Sequence, residues 1–302
     1  MSVLHSVCWG AMLMAAGYDG ARADPQPSGA AGRPAAPLPG GAAAGAESMV
    51  LVPAGPFVRG DNAGEADERP QQRLELPAFA IDRTEVTRGA YGECVAQGSC
   101  SPALAPGQTA EAAGRLPREL PVAQVSWHDA AAYCAFVGKR LPTEAEWEKA
   151  ARGPSGRRYP WGEEFACSRG NFGNFAGDGR CAEEGAPGTL LPVASFPSGA
   201  SPYGALDMAG NVWEWVADVY AADAYLHPLR RPPSPAASPG PSRGKVAGPA
   251  QERRVLHGGG CCSIFGLPRS ADRLALPASY KDADIGFRCA QDRPQPARKL
   301  SP

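Results

Sequence analysis

The sequence predicts an α+β fold with much irregular chain, small antiparallel sheets and a few helices. Three observations predict it. Glycine and proline are abundant, 37 and 32 of 302 residues, a share that favours turns and loops over a helix bundle or a doubly wound sheet. The helical periodicities are short, and each carries its own start and stop signals. The segments with strand character are short and scattered, and no internal repeat links them.

The elements follow in order. Val3 to Ala16 is an interrupted apolar run too short to span a bilayer, and Ala21-Arg22-Ala23 has an A-x-A cleavage pattern, so 1–23 reads as a signal peptide. Residues 24–47 are a Pro/Ala/Gly-rich linker without aromatic or β-branched side chains to bury. The domain is expected over 48–291, with 292–302 as a disordered tail. Val50 to Val52 and Phe57-Val58 suggest a hairpin about Pro53-Ala54-Gly55, and Phe79 to Asp82 a further strand. Thr87 caps a helix over roughly 88–97, and Ser126 opens another, ended by Gly138. Thr143 and Glu146 form a capping box for a third, with Trp147, Ala150 and Ala151 as its buried stripe and Gly153 as its stop. Beyond it the chain reads mostly as loop. Short strands are expected at Val212 to Val216, Val255 to His257 and Ile285 to Ala290. His227 to Pro249 is read as a flexible surface insertion.

Net charge is −1, which argues against a nucleic-acid binder. There is no phosphate-binding glycine loop, no nucleophile elbow and no zinc spacing among the four His. The nine cysteines fit an oxidising compartment, so the expected location is secreted or periplasmic, with no membrane span. Cys94 with Cys100, and Cys167 with Cys181, can each close a small loop. Cys134 on a helix and Cys289 on a strand can form a long-range staple. Connectivity is not decided by sequence. Cys261 and Cys262 are adjacent.

Five segments then carry a resemblance. They are Asp82-Arg83-Thr84-Glu85-Val86-Thr87, Gly138-Lys139-Arg140-Leu141-Pro142-Thr143-Glu144-Ala145-Glu146-Trp147-Glu148, Tyr159-Pro160-Trp161-Gly162, Asp207-Met208-Ala209-Gly210-Asn211-Val212-Trp213-Glu214-Trp215 and Ile285-Gly286-Phe287-Arg288-Cys289-Ala290. In this order they resemble the formylglycine-generating enzyme (sulfatase-modifying factor) family, and the likeness runs from about Met49 to Gln291. It implies a C-type-lectin-like fold. It also implies Ca²⁺ at Asp207, Gly210, Val212 and Glu214, hard oxygen donors suited to that ion. A second set would be Asn171, Phe172, Glu184 and Ala186. The competing reading of Glu214 is a salt-bridged carboxylate between tryptophans.

Active oxidases of this family bind copper through two cysteines five residues apart, beyond a Gly-Gly-Ser-aromatic turn, and soft thiolates suit Cu(I). Here the corresponding stretch is His257-Gly258-Gly259-Gly260-Cys261-Cys262-Ser263. Cys261 stands at the aromatic position and Ser263 at the first catalytic cysteine, while residues 264–269 contain no cysteine. Cys261 and Cys262 are the candidate catalytic residues. On a strand they would face opposite sides and grip one metal poorly. Gly258, Gly259, Gly260, Ser263, Arg269 and Arg273 are expected to line a cleft. Two functions follow from the resemblance: a non-oxidase binding module for a protein or peptide ligand, or a copper- and O₂-dependent oxidase converting a sulfatase cysteine to formylglycine.

Overall fold

The computed structural model describes residues 49–172, 181, 189–227, 252–261 and 268–293. The segment read as signal peptide, the linker, the 227–249 insertion beyond His227 and most of the tail lie outside the described residues. Nine short strands and four helices are described: β1 (Met49–Val52), β2 (Gly55–Arg59), β3 (Gln72–Leu76), β4 (Phe79–Asp82), α1 (Arg88–Ala96), α2 (Ala110–Gly114), α3 (Trp127–Phe136), α4 (Glu144–Arg152), β5 (Trp213–Val219), β6 (Arg253–His257), β7 (Leu274–Pro277), β8 (Ile285–Gly286) and β9 (Ala290–Asp292).

The helices start where their caps stand. Thr87 accepts from the Ala90 amide, and Ser126–Asp129 and Thr143–Glu146 close as reciprocal capping boxes. The short helix α2, capped by Thr109, was not anticipated.

The strands assemble into three sheets, ordered β1-β4-β9, β2-β3 and β7-β6-β5-β8. The expected hairpin between β1 and β2 does not form. β1 pairs with β4 (Val50 opposite Ile81), and β2 pairs with β3 (Phe57 opposite Leu74). The physical reason lies at the turn between them: the Pro53 and Gly55 carbonyls accept from Lys149 Nζ at 2.8 and 2.9 Å, so the chain there is bound to α4. The 285–290 segment is two strands rather than one. β8 joins β5 in parallel, the exception in otherwise antiparallel sheets, and β9 joins β4. β9 extends through Asp292, one residue into the stretch read as tail.

Two apolar clusters make the core. One gathers α1, α3, β5 and the segment around β8, with Tyr91, Tyr133, Trp215, Phe287, Cys134 and Cys289. The other lies under α4, with Phe79, Ile81, Trp147, Met208, Val216 and Val255. Three disulfides are present: Cys94–Cys100, Cys134–Cys289 and Cys167–Cys181. The long-range bond spans 155 residues with Cα atoms 5.6 Å apart, and both its cysteines are fully buried. A loop of that length places it at the strong end of entropic cross-links. The Cys134→Ala/Cys289→Ala double variant should therefore lose about 5 kcal/mol in chemical denaturation, and the short Cys94–Cys100 bond markedly less.

Candidate functional site

The loop leading into β5 is built on left-handed backbone. Asp207, Gly210 and Asn211 have φ of 56, 90 and 65°. A Cβ on Gly210 would lie 2.5 Å from the Asn171 carbonyl, so the close approach itself requires glycine. Around this turn the polar groups interlock. Asn211 N donates to Asn171 O at 2.8 Å, and Asn171 Nδ2 donates to Asn211 Oδ1 and to Thr189 O, both at 2.9 Å. Asn211 Nδ2 and Val212 N donate to the two oxygens of Glu85 at 3.0 and 3.3 Å. Asp207 Oδ2 accepts from Ala194 N at 2.7 Å.

One turn further on, Glu214 is fully buried between Trp147 and Arg288. Its Oε2 accepts from Trp147 Nε1 at 2.8 Å and Arg288 Nε at 2.7 Å, and its Oε1 from Arg288 Nη2 at 2.7 Å. The rest of the guanidinium is spent on carbonyls: Asp82, Arg83, Leu206 and Asp207 all accept from it. The ion-pair reading of Glu214 thus describes both its oxygens.

Glu85, Asp207 and Glu214 are buried with one facing guanidinium, Arg288. Burial pushes the Glu85 carboxyl well above the usual carboxylate range, and the Asp207 and Glu214 charges push the same way. Burial raises Asp207 as well. Among the described residues no three His, Cys, Asp or Glu side chains converge as a metal site. An ion here would be held by Asp207 with the turn's carbonyls. Of the second expected set, Asn171 and Phe172 pack against the first loop, while Glu184 and Ala186 lie outside the described residues.

The glycine strip is packed. A Cβ on Gly258 would meet Trp147 at 3.3 Å, one on Gly259 would meet Pro268 at 2.6 Å, and one on Gly260 would collide with the Asp284 carboxylate. Cys261 is 2% exposed, and its amide donates to Asn211 O at 2.9 Å. The argument from strand alternation does not apply to it. β6 ends at His257, and two left-handed glycines turn the chain before Cys261 is reached. Cys262 and Ser263 lie outside the described residues.

Arg269 and Arg273, expected beside a cleft, turn inward instead. Arg269 pairs with both oxygens of Glu68 at 2.7 and 2.6 Å, and Arg273 Nε reaches Glu144 at 2.5 Å. Arg59 holds the same Glu144 at 2.8 Å. His257 stacks on Trp147 with centroids 4.8 Å apart, and its Nε2 lies 3.4 Å from Glu144 Oε1. Burial alone would raise Glu144, but His257, Arg273 and Arg59 together hold it well below the ordinary carboxylate range. A separate shallow groove of about 480 Å³, lined by Ala66, Arg69, Pro70, Ala222, Asp223 and Leu226, shares no residue with the glycine strip or the 207–212 turn.

Glu85, Trp147 and Arg288 stand within the motifs, but nothing in their local sequence marks them as part of this site. Their motif membership was the available signal; their convergence on Glu214 and the 207–212 turn is tertiary.

This is a C-type-lectin-like α+β domain in which a buried polar network lies beside the apolar core. The chain belongs to the sulfatase-modifying factor enzyme 1-like domain family, whose model matches residues 36–293. It is similar to a formylglycine-generating enzyme of Streptomyces coelicolor (35% identity, covering 87% of this chain and 96% of that protein). It is also similar to the inactive Cα-formylglycine-generating enzyme 2 of Mus musculus (33%, covering 84% and 88%). A serine/threonine-protein kinase Pkn1 of Chlamydia trachomatis is 36% identical over 81% of this chain, which spans 38% of the length of that relative. Among solved structures, PvdO of Pseudomonas aeruginosa aligns with a TM-score of 0.61 and 27% identity, covering 81% of this chain and 94% of that one.

The Glu214–Arg288 pair can be tested directly. Arg288→Met strands a buried carboxylate and should cost about 3–5 kcal/mol in denaturant unfolding. The Glu214→Gln/Arg288→Met double variant should recover part of that loss, because no uncompensated charge remains.

Proposed function

We propose that this chain is an exported binding module of the sulfatase-modifying factor family, and that it does not act as a copper-dependent formylglycine-generating oxidase. One observation carries the reading: the positions of the family's paired thiolates hold no cysteine, and six cysteines elsewhere in the chain are joined in disulfides. After Cys262 the last cysteine in the chain is Cys289, and it is bonded to Cys134 in the core. That leaves Cys261, buried behind a filled glycine strip, and its immediate neighbour. The inward-facing Arg269 and Arg273 point the same way, since they pair with buried Glu68 and Glu144 rather than facing a cleft. Three disulfides support an oxidising, secreted or periplasmic location. The ligand on this reading is a protein or peptide, and the near-neutral net charge disfavours nucleic acid. Among the described residues no helix is long and apolar enough to cross a membrane.

The similarity to the Streptomyces enzyme over nearly its whole length keeps the oxidase as the second reading. Titration with Cu(I) followed by X-ray absorption separates the two. The expected outcome is no stoichiometric two-sulfur site, and no aldehyde by mass spectrometry when copper, O₂ and a sulfatase-type cysteine peptide are supplied. A two-sulfur site lost in both Cys261→Ser and Cys262→Ser would establish the oxidase.

Calcium is part of the proposal, supported by the hard oxygen donors that this turn carries. Asp207 and the carbonyls of Gly210 and Val212 would hold the ion, with Glu214 contributing while still paired to Arg288. Bound calcium would place positive charge beside the buried Glu85 and Asp207 carboxyls. With calcium about 100-fold above its Kd, chelation should lower the melting temperature by roughly 5–10 °C. Asp207→Ala should abolish that difference, and an unchanged melting curve in the wild type would leave Glu214 as an ion pair alone.

A further inference from the structure

The Cys167–Cys181 disulfide stands apart from the other two in what it holds. Phe172, Cys181 and Ala209 form a small apolar cluster of their own, outside both main cores, with Trp161, Phe165 and Cys167 packed around it. The aromatic rings are in mutual contact, Phe165 to Phe172 at 5.0 Å and Tyr159 stacked on Trp161 at 5.4 Å. This cluster seats the 167–172 segment directly on the 207–212 turn. Asn171 supplies that turn's hydrogen bonds through both its carbonyl and its side chain. A Cβ on Gly170 would lie 2.6 Å from the Ala209 carbonyl, so the two backbones are in direct apposition. Arg169 Nη1 donates to Ser198 O at 2.7 Å, and Ser198 Oγ returns a bond to Ser168 O at 3.1 Å.

Cys134 and Cys289 are both sealed in the core, whereas Cys167 and Cys100 are half-buried, each bonded to a buried partner, Cys181 and Cys94. A thiol attacking Cys167–Cys181 has an approach at Cys167 that the core disulfide does not offer.

We infer that Cys167–Cys181 is a redox-sensitive clasp on the 207–212 turn. Closed, it keeps Phe172 and Cys181 packed on Ala209 and so holds Asn171 against Asn211. Opened, it releases the covalent tie on a segment that, among the described residues, also rests on this cluster and on the hydrogen bonds of Arg169, Asn171 and Ser198. A dithiol reductant performs the step. Its thiolate attacks one sulfur to form a mixed disulfide, and its second thiol resolves that bond. Two electrons and two protons end on Cys167 and Cys181, and the reductant leaves as its own disulfide. The inference goes beyond the binding-module reading and does not depend on calcium, because it concerns the order of the turn's backbone.

Hydrogen–deuterium exchange on the whole chain tests it. In the Cys167→Ala/Cys181→Ala variant, amides of residues 207–212 and 189–191 should exchange at least about tenfold faster, while those of α4 keep their wild-type protection. The Cys94→Ala/Cys100→Ala variant should leave the 207–212 amides unchanged. Mild dithiol treatment of the wild type, with Cys134–Cys289 intact by peptide mapping, should reproduce the effect and reoxidation should reverse it. This second measurement decides the question if the first variant fails to fold. Unchanged exchange at 207–212, or acceleration that spreads equally to α4, would overturn the clasp.

Discussion

Burying a charged helix on every side is the constraint that organises this molecule. All nine residues of α4 are buried, and five of them, Glu144, Glu146, Glu148, Lys149 and Arg152, carry charge. An ionised group taken out of water is costly unless it is paired and hydrogen-bonded, so each of these needs a dedicated partner. Glu144 takes Arg59 and Arg273, and Glu146 takes both arms of Arg140. Glu148 accepts from Gly60 N and Arg152, and Tyr225 adds its hydroxyl. Lys149 captures the carbonyls of the β1–β2 turn, and Arg152 those of Gly60, Gly156 and Arg157. Partners therefore come from segments far apart in the chain, and these ion pairs and hydrogen bonds tie the irregular loops to α4.

The same logic closes the C-terminal side of the domain. Arg288 arrives from the segment after β8, pairs with Glu214 on β5, and ties the carbonyls of 82–83 and 206–207 together. The next residue, Cys289, bonds to α3. An ion pair and a disulfide thus sit side by side, one joining sheet to loops and the other joining sheet to helix. Trp147 links the two polar centres, since it donates to Glu214 and stacks on His257, which faces Glu144. Perturbing either centre should be felt at the other through this ring.

The cysteines show how one residue type is divided between staple and chemistry by its surroundings. Six are cross-linked, and the longest link is the most deeply buried. Cys261 follows two left-handed glycines that swing the chain out of β6 and under the 207–212 turn, where its amide is bonded to Asn211. The glycines that suggested an open cleft serve close packing against Trp147, Pro268 and Asp284 instead.

Local signals in the sequence determined a great deal. Thr87, Ser126 and Thr143 place helix starts, because a cap bonds within its own first turn. The five ordered motifs specify the family, and the cysteine positions suggested the cross-links found. What the tertiary structure alone decided is pairing between distant segments. β1 and β2 look like a hairpin by proximity, yet each pairs elsewhere because Lys149 binds the turn between them. Arg269 and Arg273 read as a basic cleft by their charge, yet they neutralise buried Glu68 and Glu144. Sequence shows which residues can cap, bond or bury. Which buried charge meets which partner depends on contacts across tens to hundreds of residues, where the cost of an unpaired ion in low dielectric, and not local propensity, selects the arrangement.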